Sequence, residues 1–409
     1  MSDGSMSPAA LRPAVLRDVL VVEGASMIAG PLCTALLQSF GARVIKVELP
    51  GEGDTIRKMG PASAPETYWS FLSQGKECVT CRFSTSEGAD MLKRMLEAAD
   101  VFIESFRPGT LEKWGLGSED LAKINPELIV IRISGFGQDG PYKERPGYGT
   151  LAEAMSGLAH VTGDPNGAPM LPGFPVGDTM TGLMAAVSVL AALMDRREEA
   201  GVAGGERLGS LVELSIFETM AYLMNPTLIE AQATGKAPVR LGNRGTGGRP
   251  RNAVICSDGK WVAYSVQSPK LVRRLVEFLG MPELERLDDA YLGPSGVDLD
   301  RRLAAWVAEH DRDFVMDQLE AADIPAAPIN DAFDVLHDRN LNVRGDLVPL
   351  ADPIHGSIRV MAPPMRFDHK LLAVAPAPAH PGQDNVAVYA ELLGLSSEEV
   401  AALAERGVI

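Results

Sequence analysis

The chain has 409 residues, of which 46% are hydrophobic and 22% charged, and its formal net charge is −16. This composition is typical of a globular protein with enough apolar residues for two or three domains. The negative charge argues against nucleic-acid binding, which requires a basic surface. A protein of this charge that binds an acidic ligand must supply cations locally. Candidates in the N-terminal third are Lys46, Arg57, Lys76, Arg107 and Lys113.

The sequence predicts a cytoplasmic protein with no membrane segment. Its N-terminus lacks the hydrophobic core of a signal peptide, and the apolar run 185–193, among the longest, is too short to span a bilayer. Cys78 and Cys81 have the Cys-x-x-Cys spacing, but no second Cys or His pair completes a zinc site. The histidines show no metal-ligand spacing either. We therefore expect free thiols and no metal.

A strand–helix–strand unit opens the chain. Residues 19–22 are apolar and β-branched, Pro31 suits the start of a helix, and Gly41 lies where a left-handed helix end is expected. Residues 44–47 form a second strand. Such a βαβ unit predicts a parallel sheet covered on both faces, and the free N–H groups at the helix start suit an anionic ligand.

A nicotinamide-binding fold is the alternative interpretation of this unit, with Glu48 as the acid that binds a ribose. That fold requires Gly-x-Gly-x-x-Gly between strand and helix. The chain has Gly24 and Gly30 there, with no suitable glycine between them. The missing fingerprint argues against a dinucleotide.

Strands and helices continue to alternate along the chain. Apolar strands are predicted at 101–104, 128–134 and 211–215. The segment 177–195 predicts a long helix that is apolar on nearly all sides and therefore buried. Further predicted elements are a helix at 217–232, a hairpin around the turn 257–259, mostly helix over 267–324, and helices at 385–393 and 397–406.

The candidate chemistry lies in loops that follow strands or open helices: 26–31, 105–109, 135–148 and 172–182. In open α/β sheets, ligands bind at the carboxyl ends of strands, where such loops lie. Asp178 near the start of the long helix is explained by an N-cap role alone. A carboxylate at a helix N-terminus is also held ionised by the dipole, which suits a nucleophile. The residues alone leave both roles open.

Several motifs, in a fixed order along nearly the whole chain, resemble those of the family III coenzyme A transferases, the group of the carnitine and formyl-CoA transferases. Each motif is weak alone, and their joint order is specific. They are the string from Ala29 to Asp54, Gly75-Lys76, Phe106-Arg107-Pro108-Gly109, Ser134 to Pro141 with Gly147-Tyr148, Gly177-Asp178 with Gly182, Gly242-Asn243-Arg244, and Ile324 to Pro328.

The resemblance implies a CoA transferase in which Asp178 is the catalytic nucleophile. Aspartyl anhydride and aspartyl-CoA thioester intermediates would carry CoA from an acyl-CoA, with succinyl-CoA as a candidate donor, to a small carboxylic acid. The CoA thioester is then a substrate, and no permanently bound cofactor is expected. The resemblance assigns contacts with CoA to Ile28, Ala29, Lys76, Ser105, Phe106, Arg107, Lys113 and Tyr148.

A glycine loop that excludes water in formyl-CoA transferases corresponds here to Gly245, Gly247, Gly248 and Arg249. It departs from their pattern because Thr246 interrupts the glycines and Arg249 replaces a glutamine. A plain surface loop explains the composition equally well. Arg249 suggests a substrate with a second carboxylate, since a guanidinium pairs well with that group.

Other departures distinguish branches of the family. Tyr148 stands where the related 2-methylacyl-CoA racemases carry a histidine, and a phenol is a poor base near neutral pH. Ile28 and Leu49 replace a glutamine and an arginine of the formyl-CoA transferases, which argues against formyl-CoA and oxalate as substrates. Transfer is favoured, and the alternatives are a racemase or epimerase and a non-catalytic CoA-binding protein.

The resemblance also implies the architecture. We expect an α/β protein whose large Rossmann-like domain combines residues 1–224 with a returning C-terminal segment, 326–409. A smaller α+β domain would span 225–325. Family members form homodimers in which the two chains interlock like rings, so the expected partners are a second copy, an acyl-CoA and a carboxylic acid.

Overall fold

A computed structural model describes residues 14–201, 208–245, 250–281 and 294–409. The chain forms two compact units. The first comprises the described parts of Met1–Ser156, Pro172–Asn225 and Asn340–Ile409, and the second those of Gly157–Leu171 and Pro226–Arg339. The domain boundaries at residues 225 and 325 that were expected from the sequence remain predictions.

The strands, in chain order, are β1 (Leu20–Glu23), β2 (Arg43–Glu48), β3 (Glu77–Thr80), β4 (Val101–Glu104), β5 (Ile129–Ser134), β6 (Leu211–Ser215), β7 (Arg251–Ile255), β8 (Trp261–Ser265), β9 (Ala326–Pro328), β10 (Leu347–Asp352), β11 (Gly356–Met361), β12 (Arg366–Phe367) and β13 (Lys370–Leu371). The α-helices are α1 (Ala29–Ser39), α2 (Thr67–Leu72), α3 (Ser86–Glu97), α4 (Thr110–Lys113), α5 (Ser118–Ile124), α6 (Gly149–Met155), α7 (Leu158–Val161), α8 (Val176–Gly201), α9 (Ile216–Leu223), α10 (Asn225–Thr234), α11 (Pro269–Phe278), α12 (Pro294–Glu309), α13 (Arg312–Ala321), α14 (Ala332–Leu336), α15 (Arg339–Arg344), α16 (Asn385–Leu393) and α17 (Ser397–Glu405).

A six-stranded sheet in the order β3-β2-β1-β4-β5-β6 organises the first unit. Every neighbouring pair in it is parallel. This is the strand order of the doubly wound Rossmann fold, in which the chain reverses direction across the sheet between β1 and β4. The predicted α/β fold is confirmed, and smaller antiparallel sheets accompany the large one.

Both faces of the sheet are covered, as parallel strands require. On one face, Val22, Ile45 and Phe102 join a buried cluster with residues of α3, α16 and α17. On the other, α1 packs against α8. A methyl group on Gly182 of α8 would lie 2.6 Å from the carbonyl oxygen of Ala29, so this close approach requires glycine.

Helix α1 begins at Ala29, slightly before the predicted start at Pro31, and has no side-chain cap. Gly41 has φ of +102°, which confirms the predicted left-handed end. The predicted helix 217–232 is instead two helices, α9 and α10, with Met224 as the C-cap of α9.

Helix α8 differs from its prediction in several ways. It begins at Val176, so Asp178 lies inside the first turn and the N-cap interpretation was wrong. It is not buried all round, because Val187 and Met194 are 60% and 64% exposed. By length and composition alone, Val176–Arg196 is long and apolar enough to cross a membrane, contrary to the expectation from sequence. In the structure α8 packs against α1, α6 and α9.

The C-terminal segment covers the edge strand β3. Asp384 Oδ2 accepts a hydrogen bond from the N–H of Cys78 at 2.7 Å, and Asn385 Oδ1 accepts one from the N–H of Thr80 at 2.8 Å. The hydroxyl of Tyr389 donates to the carbonyl of Thr80 at 2.6 Å. These bonds occupy backbone groups that an uncovered edge would expose.

The second unit contains the antiparallel sheet β7-β8-β9. The predicted hairpin is confirmed by the pairing of β7 with β8, and Gly259 in its turn has φ of +81°. Helices α11, α12 and α13 contribute to a buried core with this sheet, which includes Val262, Tyr264, Leu299, Leu303, Val315 and Leu319.

Candidate active site

A cavity of about 410 Å³ lies at the carboxyl ends of β1, β4 and β5, where the sheet reverses direction. We call it the Asp178 cavity. Its walls are the segments 26–29, 105–108 and 133–136, together with Thr55, Lys143, Arg145, Gly147, Tyr148, Asp178 and Ile216. Each of the loops selected from the sequence therefore contributes to one space.

Most of the predicted site residues of the first unit line this cavity. Besides Asp178, they are Ile28, Ala29, Ser105, Phe106, Arg107 and Tyr148. Lys113 of α4 is not among the residues that line it or the adjacent cavity described below.

Lys76 is buried, and its ammonium group donates hydrogen bonds to three groups inside the protein. It donates to Glu23 Oε2 at 2.8 Å, to Thr34 Oγ1 at 2.7 Å and to the carbonyl of Pro31 at 2.9 Å. Glu23 is also completely buried. Lys76 therefore holds the first turn of α1 instead of lining the cavity.

Lys46 and Arg57 are occupied in the same way. Lys46 pairs with Glu23 and Asp54, and Arg57 pairs with Glu48 through Nε at 2.8 Å. Both cations are therefore neutralised by carboxylates on neighbouring strands or loops, as buried cations must be, and Lys46 also lines the adjacent cavity described below. Their contact with an acidic ligand stays a prediction. Of the candidate cations, Arg107 lines the Asp178 cavity.

A second cavity of about 350 Å³ adjoins the first. The two share Ser26, Thr55, Ser105 and Phe106. We call it the Trp114 cavity, and its remaining walls include Gly24, Leu49, Lys58, Phe83 and Trp114. The two together offer room for an elongated ligand with one end near Asp178.

The loop 26–29 is held by a buried ionic network. Lys46 donates to the carbonyl of Ala25 and to Asp54 Oδ2, both at 2.5 Å. Asp54 Oδ1 in turn accepts the N–H of Met27 at 3.3 Å. Met27 has φ of +69°, a conformation that is unfavourable for a residue with a side chain. Strain of this kind is common at ligand-binding sites, where surrounding contacts maintain it.

The loop 105–108 is fixed by a second buried carboxylate. Glu104 Oε2 accepts the N–H of Phe106 at 2.6 Å, and Glu104 Oε1 pairs with Arg132 at 2.7 Å. The Phe106 ring packs edge-on against Trp114 with centroids 5.3 Å apart. The wall shared by the two cavities is therefore preorganised.

The carboxyl group of Asp178 has its pKa raised to about 6. Burial is the main cause, the charge of Glu153 adds to it, and a hydrogen bond from the N–H of Gly149 opposes it. The sequence predicted a carboxylate held ionised by the helix dipole. The raised pKa of about 6 makes the group more basic than an ordinary aspartate while leaving it ionised at neutral pH.

Glu153 and Gly149 complete the surroundings of Asp178, and the sequence analysis did not identify either. Glu153 is 2% exposed, and its Oε1 accepts the N–H of Gly177 at 2.9 Å. A methyl group on Gly149 would lie 2.4 Å from Asp178 Oδ2. The sequence pattern that could have identified these two residues is a glycine directly after Tyr148, followed one helical turn later by an acidic residue.

Of the predicted glycine loop, Gly245 belongs to the second unit, and the predictions for Gly247, Gly248 and Arg249 lie outside the described residues. All four cysteines are buried free thiols, as predicted. Among the residues that the structure describes, no group of three His, Cys, Asp or Glu side chains is placed to hold a metal ion.

A family model for CoA-transferase family III matches residues 16–385. The chain belongs to CoA-transferase family III. Members of this family transfer CoA between acyl-CoA thioesters and carboxylic acids, so the chain is an enzyme whose substrate is a CoA thioester.

Curated and solved relatives agree with this assignment. Succinyl-CoA–D-citramalate CoA-transferase of Chloroflexus aurantiacus is 35% identical, with coverage of 97% of this chain and 98% of that protein. The beta subunit of succinyl-CoA–L-malate CoA-transferase from the same organism is 34% identical, covering 96% and 98%. The crystal structure of a CaiB/BaiF family protein from Brucella suis has a TM-score of 0.79 and 31% identity, covering 92% of this chain and 99% of that one.

Proposed function

We propose that this family III transferase moves CoA from succinyl-CoA to a small dicarboxylic or hydroxydicarboxylic acid, with Asp178 as the nucleophile. The observation that carries the proposal is the position of Asp178 in a cavity at the reversal point of the sheet. Its pKa of about 6 supports the role, because the carboxylate is ionised at neutral pH and yet more basic than an ordinary aspartate.

The proposed reaction begins with attack of an Asp178 oxygen on the thioester carbonyl. The carbon–sulfur bond breaks, CoA leaves as a thiolate, and an aspartyl anhydride forms. The thiolate then attacks the aspartyl carbonyl, which releases the donor carboxylate and leaves an aspartyl-CoA thioester. An acceptor carboxylate reverses these steps and frees Asp178. Water must be excluded throughout, because it would hydrolyse the anhydride.

The adjoining cavities suit a thioester at one end and the rest of CoA along their length. We propose that Ile28, Ala29 and Tyr148 surround the acyl end. Ser105 and Phe106, which line both cavities, would contact the pantetheine arm, with Arg107 beside them. Lys76 would affect CoA binding indirectly, by holding Glu23 and the start of α1 in place. Lys113 would do so through its position in α4.

Succinyl-CoA is proposed as the donor because it appears in the names of the transferases to which this chain is similar over almost its full length. Citramalate and malate, the acids in those names, are both hydroxydicarboxylic acids. We therefore propose that both substrates of this chain, the donor acyl group and the acceptor acid, carry a second carboxylate. Arg249 was the sequence-based candidate for its recognition and lies outside the described residues.

Mass spectrometry tests the nucleophile directly. The protein is incubated with succinyl-CoA, acetyl-CoA or butyryl-CoA, digested, and mapped around Asp178. We expect a CoA-sized adduct on the peptide that contains Asp178, and no adduct in Asp178→Ala. Retention of CoA binding by that variant, measured by calorimetry, separates lost chemistry from lost binding.

Absence of an adduct with every donor would contradict the proposal. In that case exchange of the α-proton of a 2-methylacyl-CoA in heavy water would test the racemase alternative. No histidine lines either cavity in the described part of the chain, and this favours transfer. A protein that gave neither adduct nor exchange would favour the third alternative, a CoA-binding role without turnover.

We also propose a homodimer in the cytoplasm. Helices α6, α8 and α9 pack against one another in the first unit and leave large apolar side chains in solvent. An exposed apolar surface on several adjacent elements commonly marks a protein interface. The residues are Leu151, Met155, Leu183, Val187, Met194, Tyr222 and Leu223.

A further inference from the structure

The loop between β5 and α6 is closed at its base by glycines. A methyl group on Gly135 would lie 2.6 Å from the Cα of Gly147, and the reverse substitution would meet Gly135 at the same distance. Only glycines allow the two ends to touch in this way. The residues between them therefore form a compact loop with a fixed base, directly before Tyr148 and the start of α6.

Aromatic side chains fill the base of this loop. The ring of Phe136 lies 5.9 Å from that of Tyr142 and 6.0 Å from that of Phe217 on α9. The guanidinium carbon of Arg145 lies 3.9 Å above the Tyr142 ring, and the N–H of Arg145 donates to the Tyr142 carbonyl at 2.9 Å. Arg145 is thus oriented by a cation–π contact before any ligand binds.

The charge of the Asp178 cavity is unusual for this acidic chain. Arg107, Lys143 and Arg145 line it, and Asp178 is the acidic side chain among its walls. None of these cations forms an ion pair with a carboxylate of the described residues. Arg107, Lys143 and Arg145 are exposed, unlike Lys46 and Lys76, which are buried and paired internally. Cations left unpaired in a ligand cavity indicate an anionic ligand.

These cations lie on two loops: Arg107 follows β4, whereas Lys143 and Arg145 lie between β5 and α6. Arg107 directly follows Phe106, which lines both cavities, but Arg107 itself lines the Asp178 cavity, as Lys143 and Arg145 do. Lys143 and Arg145 line the Asp178 cavity and are not among the walls of the Trp114 cavity. Lys143 and Arg145 therefore lie in the cavity that would hold the reacting end of the ligand. The carboxylate of a succinyl group lies two methylenes from its thioester carbonyl, so its partner must lie in the cavity of the nucleophile.

We propose that Arg145, assisted by Lys143, binds the second carboxylate of the dicarboxylic acyl group and of the dicarboxylic acceptor. The inference rests on the proposed function and assigns the substrate class to residues of the loop between β5 and α6. A guanidinium suits the task because it binds a carboxylate in a bidentate manner. The stack on Tyr142 lowers the cost of ordering it.

Donor discrimination tests the proposal in Arg145→Gln and Lys143→Gln. The rates of adduct formation on Asp178 are compared for succinyl-CoA and butyryl-CoA, which have acyl chains of equal length and differ in the second carboxylate. We expect roughly a 10- to 100-fold loss with succinyl-CoA in Arg145→Gln, the usual range for a charge-assisted hydrogen bond, and less than about a threefold change with butyryl-CoA. Lys143→Gln should show a smaller loss of the same selectivity.

Matched variants assign the effect to the acyl end. Lys58→Gln removes a cation from the Trp114 cavity, so any loss should be equal for both donors. Tyr142→Phe keeps the ring under Arg145 and should retain the selectivity, whereas Tyr142→Leu should lose part of it. Equal losses for both donors in Arg145→Gln would overturn the proposal and place Arg145 on the CoA moiety.

Binding of free acids separates this inference from the transfer mechanism. Calorimetry with succinate and with butyrate needs no turnover. We expect Arg145→Gln to weaken succinate binding and to leave butyrate binding unchanged. Succinate affinity that is equal in wild type and Arg145→Gln would overturn the inference, whether or not Asp178 forms an adduct. Conversely, lost succinate selectivity without an adduct would support the subsite and contradict only the proposed nucleophile.

Discussion

Gly149 touches the carboxyl group of Asp178: a methyl group on Gly149 would lie 2.4 Å from Asp178 Oδ2. The N–H of Gly149 also donates a hydrogen bond to that carboxyl group. The start of α6 therefore sets the position of the proposed nucleophile at the start of α8. A glycine is required here by close approach, since its φ is not in the left-handed region.

Gly149→Ala should lower the transfer rate by roughly 100-fold, the usual cost of displacing a reacting group by about 1 Å. The added methyl must push the carboxylate aside, because it cannot share space with Oδ2. Steady-state transfer and the rate of adduct formation on Asp178 measure the effect. Gly173→Ala is the matched control, since a methyl there meets no atom within 4 Å. Equal activity of the two variants would show that Asp178 adapts freely.

The pH dependence of transfer follows from the raised pKa of Asp178. The nucleophile is the ionised form, and burial and Glu153 raise its pKa to about 6. Activity should therefore fall as the pH drops through about 6 and reach a plateau above it. A profile of kcat/KM between pH 4.5 and 8 measures the apparent pKa. A plateau that extends down to pH 4.5 would contradict the assignment.

Glu153→Gln tests the cause of that shift. Glutamine keeps an oxygen that accepts the N–H of Gly177 and removes the negative charge near Asp178. Loss of a like charge favours the ionised form, so the apparent pKa should move down. Activity at pH 5 should then rise relative to the plateau. An unchanged midpoint would mean that burial alone sets the pKa. A shift upward would contradict the electrostatic model.

Much of the site could be predicted because it depends on local order along the chain. Strand 101–104 and the loop after it were visible as an apolar run followed by Ser105-Phe106-Arg107. The same reasoning predicted that Asp178 and Tyr148 would lie near the carboxyl ends of the strands, and both line the cavity there. Parallel strands joined by helices place such loops at one edge, whatever the details of packing.

Other features depend on partners that are distant in sequence. Lys46 and Lys76 looked available to a ligand because nothing nearby in the chain marks Glu23 as their partner. Glu23 lies opposite Lys46 only once β1 and β2 are paired in register. Helix α8 shows the same limit. Because α8 is apolar on nearly all sides, the sequence predicted that it is buried. The sequence does not indicate whether the surface that covers an apolar side belongs to the same chain, and Val187 is exposed in this chain.

Substitutions at Met27 should separate backbone strain from side-chain contacts. Met27 has φ of +69°, which costs roughly 1–2 kcal/mol for a residue with a side chain. Met27→Gly removes that strain but adds entropy to the unfolded chain, a loss of about 0.5–1 kcal/mol. The free energy of unfolding should therefore change little or rise. Met27→Ile should lower it by about 2 kcal/mol, since a β-branched residue tolerates this conformation poorly. Urea denaturation compares the two, and equal stabilities would show that the loop relaxes.

The exposed face of α8 gives a test of the proposed dimer. Val187 is 60% exposed and is neighboured on the same helix by exposed Leu183 and Met194. Association that covers this face would bury Val187 in apolar surroundings, where a carboxylate is strongly disfavoured. Val187→Glu should therefore reduce the fraction of dimer that forms on refolding from urea, as measured by light scattering after size exclusion.

Val386→Glu is the control for that experiment, because Val386 is 51% exposed in the first turn of α16, where an acid is favourable. It should keep the mass of the wild type. A wild-type protein that runs as a monomer would contradict the proposed homodimer. If instead Val187→Glu remained a dimer with normal activity, the interface would have to lie on another face, and the apolar side chains of α8 would need a different explanation.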